Sequence, residues 1–174
     1  LLVQAMPRIE AAGPGPEAER WQRLGVRHQG EAGMTYARML TKDDSQIDWS
    51  ASALAIHRKV MGLYPNANTS WQGKRLKLLC TEPLVKRLSQ QLSDEAVPLA
   101  ARWGLSPADP AAAAPAPAGT VLEVVPGVGV VVASGGCPVL VREAQLEGKA
   151  AAAGTQLLQQ LQIRPGDALG ELRR

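Results

Sequence analysis

Residues 69–79 of this chain read Thr-Ser-Trp-Gln-Gly-Lys-Arg-Leu-Lys-Leu-Leu. This pattern is typical of two short strands joined by a tight turn at Gln72-Gly73. In the second strand basic residues alternate with leucines, which places Arg75 and Lys77 together on one face. We therefore expect an antiparallel hairpin with one apolar face and one basic face.

Three more strands follow later in the chain, separated by turn residues. They are predicted at 120–125, 128–133 and 139–143, with turns at Pro126-Gly127 and Ser134-Gly135-Gly136. Together with the hairpin they make five short strands. We predict a mainly β fold with flanking helices, in which the strands form a five-stranded closed barrel of the oligonucleotide-binding (OB) type. A small open sandwich fits the same pattern nearly as well.

Helical patterns flank the strands. Ser50 or Ser52 can cap a helix that ends before Pro65. Further helical segments are predicted at 1–12, at 36–41, at about 85–101 and at 150–162. Residues 13–33 are rich in glycine and proline and are predicted to be an irregular connector. Residues 83–118, which end in a Pro/Ala-rich run, are predicted to be a flexible insertion.

Composition limits the possible functions. The chain has 174 residues, no Phe and a formal net charge of +3, so the core is aliphatic and a polyanionic partner is permitted. Cys80 and Cys137 form no CxxC pair and have only His28 and His57 as other soft ligands, so we expect no zinc site. We interpret both cysteines as small apolar fillers in strands. No signal peptide and no long apolar run is visible, so we expect a cytoplasmic protein without a membrane span.

Basic residues are concentrated between positions 51 and 90, where Glu82 is the only acidic residue. Such a face can bind phosphates, although a solvated strand face explains the charge about as well. Trp71 beside it either stacks on a base or, more commonly, fills the core. The basic residues of this segment are Arg58, Lys59, Lys74, Arg75, Lys77, Lys86 and Arg87.

No catalytic set emerges from these patterns. His57 is predicted within a helix beside two basic residues, without an acid or nucleophile to accompany it. Gly127-Val128-Gly129 is better interpreted as a hairpin turn than as a phosphate loop. Asp43, Asp44 and Asp48 could bind a cation, but capping and helix N-terminal charge compensation explain them more simply.

One stretch resembles a known family. Residues 36–50, Tyr-Ala-Arg-Met-Leu-Thr-Lys-Asp-Asp-Ser-Gln-Ile-Asp-Trp-Ser, resemble the segment that joins the two domains of the methionyl-tRNA formyltransferase family, and Ile47-Asp48-Trp49-Ser50 is the most specific part. Gln145-Leu146-Glu147-Gly148-Lys149 resembles a block near the end of that family's barrel domain. Residues 1–12 look like the last helix of its catalytic domain.

The resemblance implies transfer of a formyl group from 10-formyltetrahydrofolate to methionyl initiator tRNA by a monomeric enzyme. The family's catalytic signature is an Asn-x-His pair followed by a Ser-Leu-Leu-Pro loop and a later Asp, and this chain contains no such set. We therefore expect catalysis to reside in sequence preceding Leu1, and we assign this chain no catalytic residue, no metal and no cofactor.

The resemblance also implies a domain organisation. We expect residues 1–33 to end the catalytic domain, residues 34–50 to form the linker, and residues 51–172 to form an OB-like tRNA-binding domain. The alternative is a free-standing, non-enzymatic module that docks RNA or a protein partner. The candidate tRNA contacts are Arg38, Lys42, Arg58, Lys59, Lys74, Arg75 and Lys77.

Overall fold

A computed structural model describes residues 2–27, 30, 33–104 and 116–170. The chain divides into two compact units, Leu1–Met39 and Leu40–Arg174. Leu1, His28, the Pro/Ala-rich part of the predicted insertion between 105 and 115, and the last four residues lie outside the described residues. The side chain of Leu2 is not described either.

The first unit is a helical hairpin. Helix α1 spans Leu2–Ala12, as predicted, and α2 spans Glu17–Leu24. Arg23 in α2 donates a hydrogen bond to the carbonyl oxygen of Ala12 over 2.6 Å. The prediction of an irregular connector at 13–33 is wrong for α2. The Gly and Pro residues flank this helix instead of breaking it, because Pro16 precedes its first turn and Gly25 takes the left-handed conformation that ends it.

Residues 34–41 have no regular secondary structure. The helical turn predicted around Tyr36 to Leu40 is therefore wrong. Tyr36, Met39 and Leu40 are exposed, which leaves a helix there without an apolar face to bury. A 3₁₀ turn forms at Asp43–Ser45.

The second unit is an antiparallel sheet with flanking helices, which confirms the predicted mainly β fold, but the strand order is open and does not form the predicted closed barrel. Its order is β1-β2-β5-β4-β3, with β6 paired to β5. The strands are β1 Asn68–Trp71, β2 Lys74–Pro83, β3 Val121–Val125, β4 Gly129–Val132, β5 Val139–Leu146 and β6 Ala152–Ala153. The sheet thus has six strands where five were predicted, because β6 is too short to show a strand pattern. Cys80 lies in β2 as predicted, whereas Cys137 lies in a bend before β5.

Two helices pack on the main core. Helix α3 spans Ala53–Gly62, and Ser52 caps it by accepting a hydrogen bond from the backbone N–H of Ala55. Helix α5 spans Gly154–Leu161. Both contribute buried residues to a largely aliphatic core, among them Ile56, Val60 and Leu157. Within the described residues, no helix is both long and apolar enough to cross a bilayer.

The first part of the predicted flexible insertion is folded. A 3₁₀ helix at Lys86–Gln91 and helix α4 at Ala96–Trp103 follow β2. Leu84, Leu99 and Ala100 are buried against Val131 and Leu140, which forms a second hydrophobic cluster on the sheet. This packing corrects the prediction of a flexible insertion for residues 83–104, because their burial depends on strands that are distant in sequence.

Candidate nucleic-acid interface

The β1–β2 hairpin places the basic residues as predicted. Gln72 and Gly73 both have positive φ, 48° and 74°, which is the geometry of a two-residue hairpin turn. Leu76 and Leu78 are fully buried, whereas Arg75 is exposed and Lys77 is half-buried on the other face. The alternation of basic and apolar residues in β2 therefore separates core from surface.

Cross-strand neighbours make the surface around Lys77 polar. Lys77 lies opposite Asn68 of β1 and opposite Gln145 of β5. Arg75 lies opposite Ser70, and its backbone N–H donates to Glu147 over 3.2 Å. Trp71 is only 5% exposed and donates from Nε1 to the carbonyl oxygen of Leu161, so it is a core residue and is not available to stack on a base.

Residues 40–50 run beside this hairpin. Gln46 forms a parallel β-bridge with Asn68, and the backbone N–H of Ile47 donates to the carbonyl oxygen of Asn68 over 2.7 Å. Ile47 and Trp49 are buried in the main core. This pairing brings the preceding residues, including Lys42, alongside β1 and β2.

Two of the three aspartates of this segment, Asp44 and Asp48, serve local structure. Asp44 accepts hydrogen bonds from both the backbone N–H and the hydroxyl of Thr41, at 2.7 and 2.9 Å. Asp48 accepts from the hydroxyl and the backbone N–H of Ser50, and these two bonds hold the pKa of the Asp48 carboxyl below its ordinary value of 3.8. Within the described residues no group of three or more Asp, Glu, His or Cys residues is arranged to hold a metal ion.

A cleft of about 700 Å³ lies between the 40–46 segment, the end of α3 and the β1–β2 hairpin. We call it the basic cleft because Lys42, Arg75 and Lys77 line it. Its other lining residues are Leu40, Thr41, Asp43, Asp44, Ser45, Gln46, Gly62, Leu63, Tyr64, Asn66 and Asn68. Such a volume is in the range of ligand sites in proteins.

The remaining candidate residues are arranged differently. Lys74 is exposed at the start of β2, directly after the hairpin turn. Lys59 donates to the carbonyl oxygen of Gln46 and so helps to hold the 40–50 segment. Arg58 is exposed on α3 and does not line the cleft. Arg38 belongs to the first unit, where its guanidinium donates to the carbonyl oxygen of Met39 over 3.2 Å.

Sequence patterns did not identify Tyr64, Asn66 and Asn68 as part of this surface. Tyr64 follows α3, and its side chain is 62% exposed. One feature of the sequence could have marked Tyr64: it is an aromatic residue directly before Pro65, beyond the last apolar position of the predicted helix. Asn68 was hidden because its role depends on pairing with Lys77 across the hairpin.

An ion pair joins Glu82, near the end of β2, to Arg142 of the neighbouring strand β5. Arg142 contacts Glu82 over 2.7 Å, and Ser93 donates to Glu82 from both its backbone N–H and its hydroxyl, each at 2.8 Å. Burial acts to raise the pKa of Glu82, but the hydrogen bonds from Ser93 and Arg142 outweigh it and lower that pKa. This cluster fastens the 83–104 segment to the sheet and is not part of the basic cleft.

The comparison with known proteins covers nearly the whole chain. Methionyl-tRNA formyltransferase of Synechococcus sp. (strain WH7803) is 59% identical over 170 residues, which are 98% of this chain and 47% of that protein. The protein of the same name from Synechococcus sp. (strain RCC307) is 60% identical over 161 residues, 92% of this chain and 46% of that protein. The one from Prochlorococcus marinus (strain MIT 9313) is 48% identical over 172 residues, 98% of this chain and 48% of that protein.

This chain therefore spans about half the length of the relatives that it matches. A family model described as "Formyl transferase, C-terminal domain" matches residues 39–162, the part that contains the 40–50 segment, the sheet and the basic cleft. The resemblance noted in residues 36–50 and 145–149 is thereby confirmed, and the chain belongs to the formyl transferase C-terminal domain family.

Proposed function

We propose that this chain is the C-terminal part of a methionyl-tRNA formyltransferase. The longer protein would be a cytoplasmic monomer that transfers a formyl group from 10-formyltetrahydrofolate to the amino group of methionine on initiator tRNA. The support is the high identity to relatives of that name over nearly all of this chain. In this proposal residues 1–33 end the catalytic domain and residues 34–50 are the linker. We place no residue of this chain in donor binding or in formyl transfer.

The proposed task of this part is to hold the tRNA backbone. The observation that carries the proposal is the convergence of Lys42, Arg75 and Lys77 on the basic cleft. Within the described residues none of these three side chains forms an ion pair or a hydrogen bond, so their charges are available to a partner. Lysine and arginine that contact phosphates release counterions, which gives affinity without sequence readout. Lys74 extends this surface, and Arg38, Arg58 and Lys59 are the outlying candidates.

We also propose that the sheet is completed as an OB-like barrel by residues 166–170. In the sheet order, β1 and β3 are the two edge strands. Gly166 donates to the carbonyl oxygen of Val121 in β3 over 2.8 Å, and Gly170 donates to that of Ser70 in β1 over 3.0 Å. A single short segment thus hydrogen-bonds to both edges. Covering the edges in this way protects strands that otherwise expose unpaired backbone groups.

Titration of the chain with initiator tRNA at several salt concentrations tests the proposed task. If three or four phosphates are contacted, we expect log Kd to rise with log salt with a slope of about 2 to 4. Fluorescence anisotropy with end-labelled tRNA gives the Kd at each salt concentration and therefore the slope. Binding that is undetectable at low salt, or that does not change with salt, contradicts the proposal.

Two matched charge-reversal variants distinguish binding of tRNA in the basic cleft from binding that depends only on net charge. The double variant Arg75→Glu, Lys77→Glu reverses two cations of the cleft. The double variant Lys86→Glu, Arg87→Glu makes the same charge change in the exposed 3₁₀ helix, outside the cleft. We expect the first variant to lose tRNA binding and the second to retain most of it. Equal losses in both variants would assign the binding to overall charge.

A non-enzymatic docking module is the second candidate function. One observation favours it: Val3, Met6 and Ile9 of α1 are exposed, which is unusual for neighbouring apolar residues of a helix. Such a face calls for a covering protein surface, either in the longer protein or in a partner. If the chain without residues 1–12 has unchanged solubility and remains a monomer, this second function loses its support.

A further inference from the structure

One aromatic side chain lines the basic cleft, and binding of phosphates by the cations gives it no role. Tyr64 lines the cleft opposite the β1–β2 hairpin, and its side chain is 62% exposed. Within the described residues its hydroxyl makes no hydrogen bond. An exposed aromatic ring contributes little to the stability of this unit, so its place in the cleft calls for another explanation.

The side-chain amide of Asn68, on the floor of the cleft, already has hydrogen-bond partners within the protein. The side-chain amide of Asn68 donates to Ser45 Oγ over 3.1 Å and to the carbonyl oxygen of Asn66 over 2.9 Å. Asp44 on the wall is engaged by Thr41. Among the charged and aromatic groups of the cleft, these bonds leave available the ring of Tyr64, the carboxylate of Asp43 and the three cations Lys42, Arg75 and Lys77. An exposed ring that lines the same cleft as three cations suits a ligand that has a flat π surface and a nearby negative charge.

We infer that the basic cleft binds an unpaired nucleotide of RNA, with its base stacked on Tyr64 and the adjoining phosphates held by Lys42, Arg75 and Lys77. Base stacking on aromatic side chains combined with a basic groove is the general means of binding single-stranded nucleic acid. A base inside a duplex has both faces covered by its neighbours, so the ring of Tyr64 selects unpaired nucleotides. This inference rests on the proposed binding of tRNA and specifies which part of such a ligand enters the cleft.

The experiment compares two labelled RNA probes with the same number of phosphates, a single-stranded oligoadenylate and a blunt-ended duplex of two complementary strands. Four forms of the full 174-residue chain are used: the unchanged chain, Tyr64→Ala, Tyr64→Phe and Met61→Ala. Met61 is the matched control because it is 59% exposed in the last turn of α3, close to Tyr64 in sequence, but does not line the cleft. Both Tyr64 and Met61 are exposed, so neither substitution threatens the fold, and circular dichroism verifies this.

We expect Tyr64→Ala to weaken binding of the single strand about tenfold, which corresponds to about 1.4 kcal/mol. Binding of the duplex should change less than about twofold, because its bases are paired and its phosphates are held by the cations. Tyr64→Phe should bind both probes like the unchanged chain, since phenylalanine keeps the ring. Met61→Ala should also have no effect.

Each other result overturns the inference in a recognisable way. If Tyr64→Ala binds the single strand as tightly as the unchanged chain while tRNA still binds with a salt dependence, the stacking site is wrong and the proposed function survives. If Tyr64→Ala weakens both probes equally, the cleft does not distinguish unpaired nucleotides and the inference again fails alone. If the unchanged chain binds neither probe nor tRNA, both proposals fall, and a protein becomes the better partner for the cleft.

Discussion

Trp49 and Thr69 are joined by a buried hydrogen bond, in which indole Nε1 donates to the threonine hydroxyl over 3.0 Å. Trp49 is 5% exposed and Thr69 is 2% exposed. Trp49 belongs to the segment that precedes α3, and Thr69 belongs to β1. The bond therefore fixes the segment that forms one wall of the basic cleft to the strand next to its floor.

Thr69→Val should destabilise the chain by about 1–3 kcal/mol, because it leaves the buried N–H of Trp49 without an acceptor. The same substitution in a Trp49→Phe background should cost much less, since both polar partners are then absent. Urea denaturation of the unchanged chain, the two single variants and the double variant measures the cost of Thr69→Val in each background. If the cost is the same in both backgrounds, the hydrogen bond contributes nothing specific.

Much of the fold was predictable because local patterns encode it. The hairpin, the later strands and the helix capped by Ser52 all follow from alternation, turn residues and capping, which act over a few residues. Helix α2 escaped prediction because it is short, mostly polar and flanked by prolines and glycines, and none of its residues is buried. The short strand β6 and the edge contacts of residues 166–170 depend on partners far away in sequence, which no local pattern reveals.

Gly135 is a position where the fold leaves no room for a side chain. A Cβ there would collide with the backbone carbonyl of Ser50, while a Cβ at neighbouring Gly136 would have open space around it. We expect Gly135→Ala to lower the free energy of unfolding by about 1–3 kcal/mol through overpacking. Gly136→Ala should be neutral or slightly stabilising. Thermal denaturation of the two variants compares them directly, and an equal effect in both would show that the turn adjusts to a side chain without cost.

The two carboxylates that contact Arg142 should contribute unequally to the free energy of unfolding. The Glu82 side chain is 13% exposed and lies 2.7 Å from the guanidinium, whereas that of Glu95 is 52% exposed and lies 3.5 Å away. Glu82→Gln should cost about 1–3 kcal/mol, because it leaves a partly buried cation without its main partner. Glu95→Gln should cost less than about 1 kcal/mol, as is usual for exposed pairs. Chemical denaturation of both variants tests the order, and a larger cost for Glu95→Gln would contradict it.

The pH dependence of stability should report on Glu82. Its pKa in the folded state lies below the ordinary value of 4.5, so the ionised form stabilises the fold at neutral pH. This contribution should decline as the pH falls below about 4.5 and passes through the lowered pKa. In Glu82→Gln the free energy of unfolding should fall less steeply with decreasing pH than in the unchanged chain. Unfolding free energies measured between neutral and acidic pH give both curves, and parallel curves would remove Glu82 as a cause.

The candidate site was less predictable than the fold. Alternation in β2 indicated that Arg75 and Lys77 share a face, and the structure agrees. Their proximity to Lys42 depends on the bridge between Gln46 and Asn68, which joins residues far apart in the chain. Tyr64 lies at a helix end and is exposed, so neither periodicity nor burial marks it. Sequence therefore identified the charges of the cleft but not the geometry that unites them.

Asp43 offers a further test of the basic cleft, because it places a carboxylate on the same wall as Lys42. If the cleft holds RNA phosphates, this charge opposes binding, and Asp43→Asn should tighten tRNA binding about two- to fourfold at low salt, as expected for an exposed charge. The effect should fade as salt is raised. Asp94→Asn removes an equivalent exposed charge outside the cleft and should change binding much less. Anisotropy titrations at two salt concentrations suffice. If both variants tighten binding equally, tRNA responds to net charge alone, and the cleft is not the place where it binds.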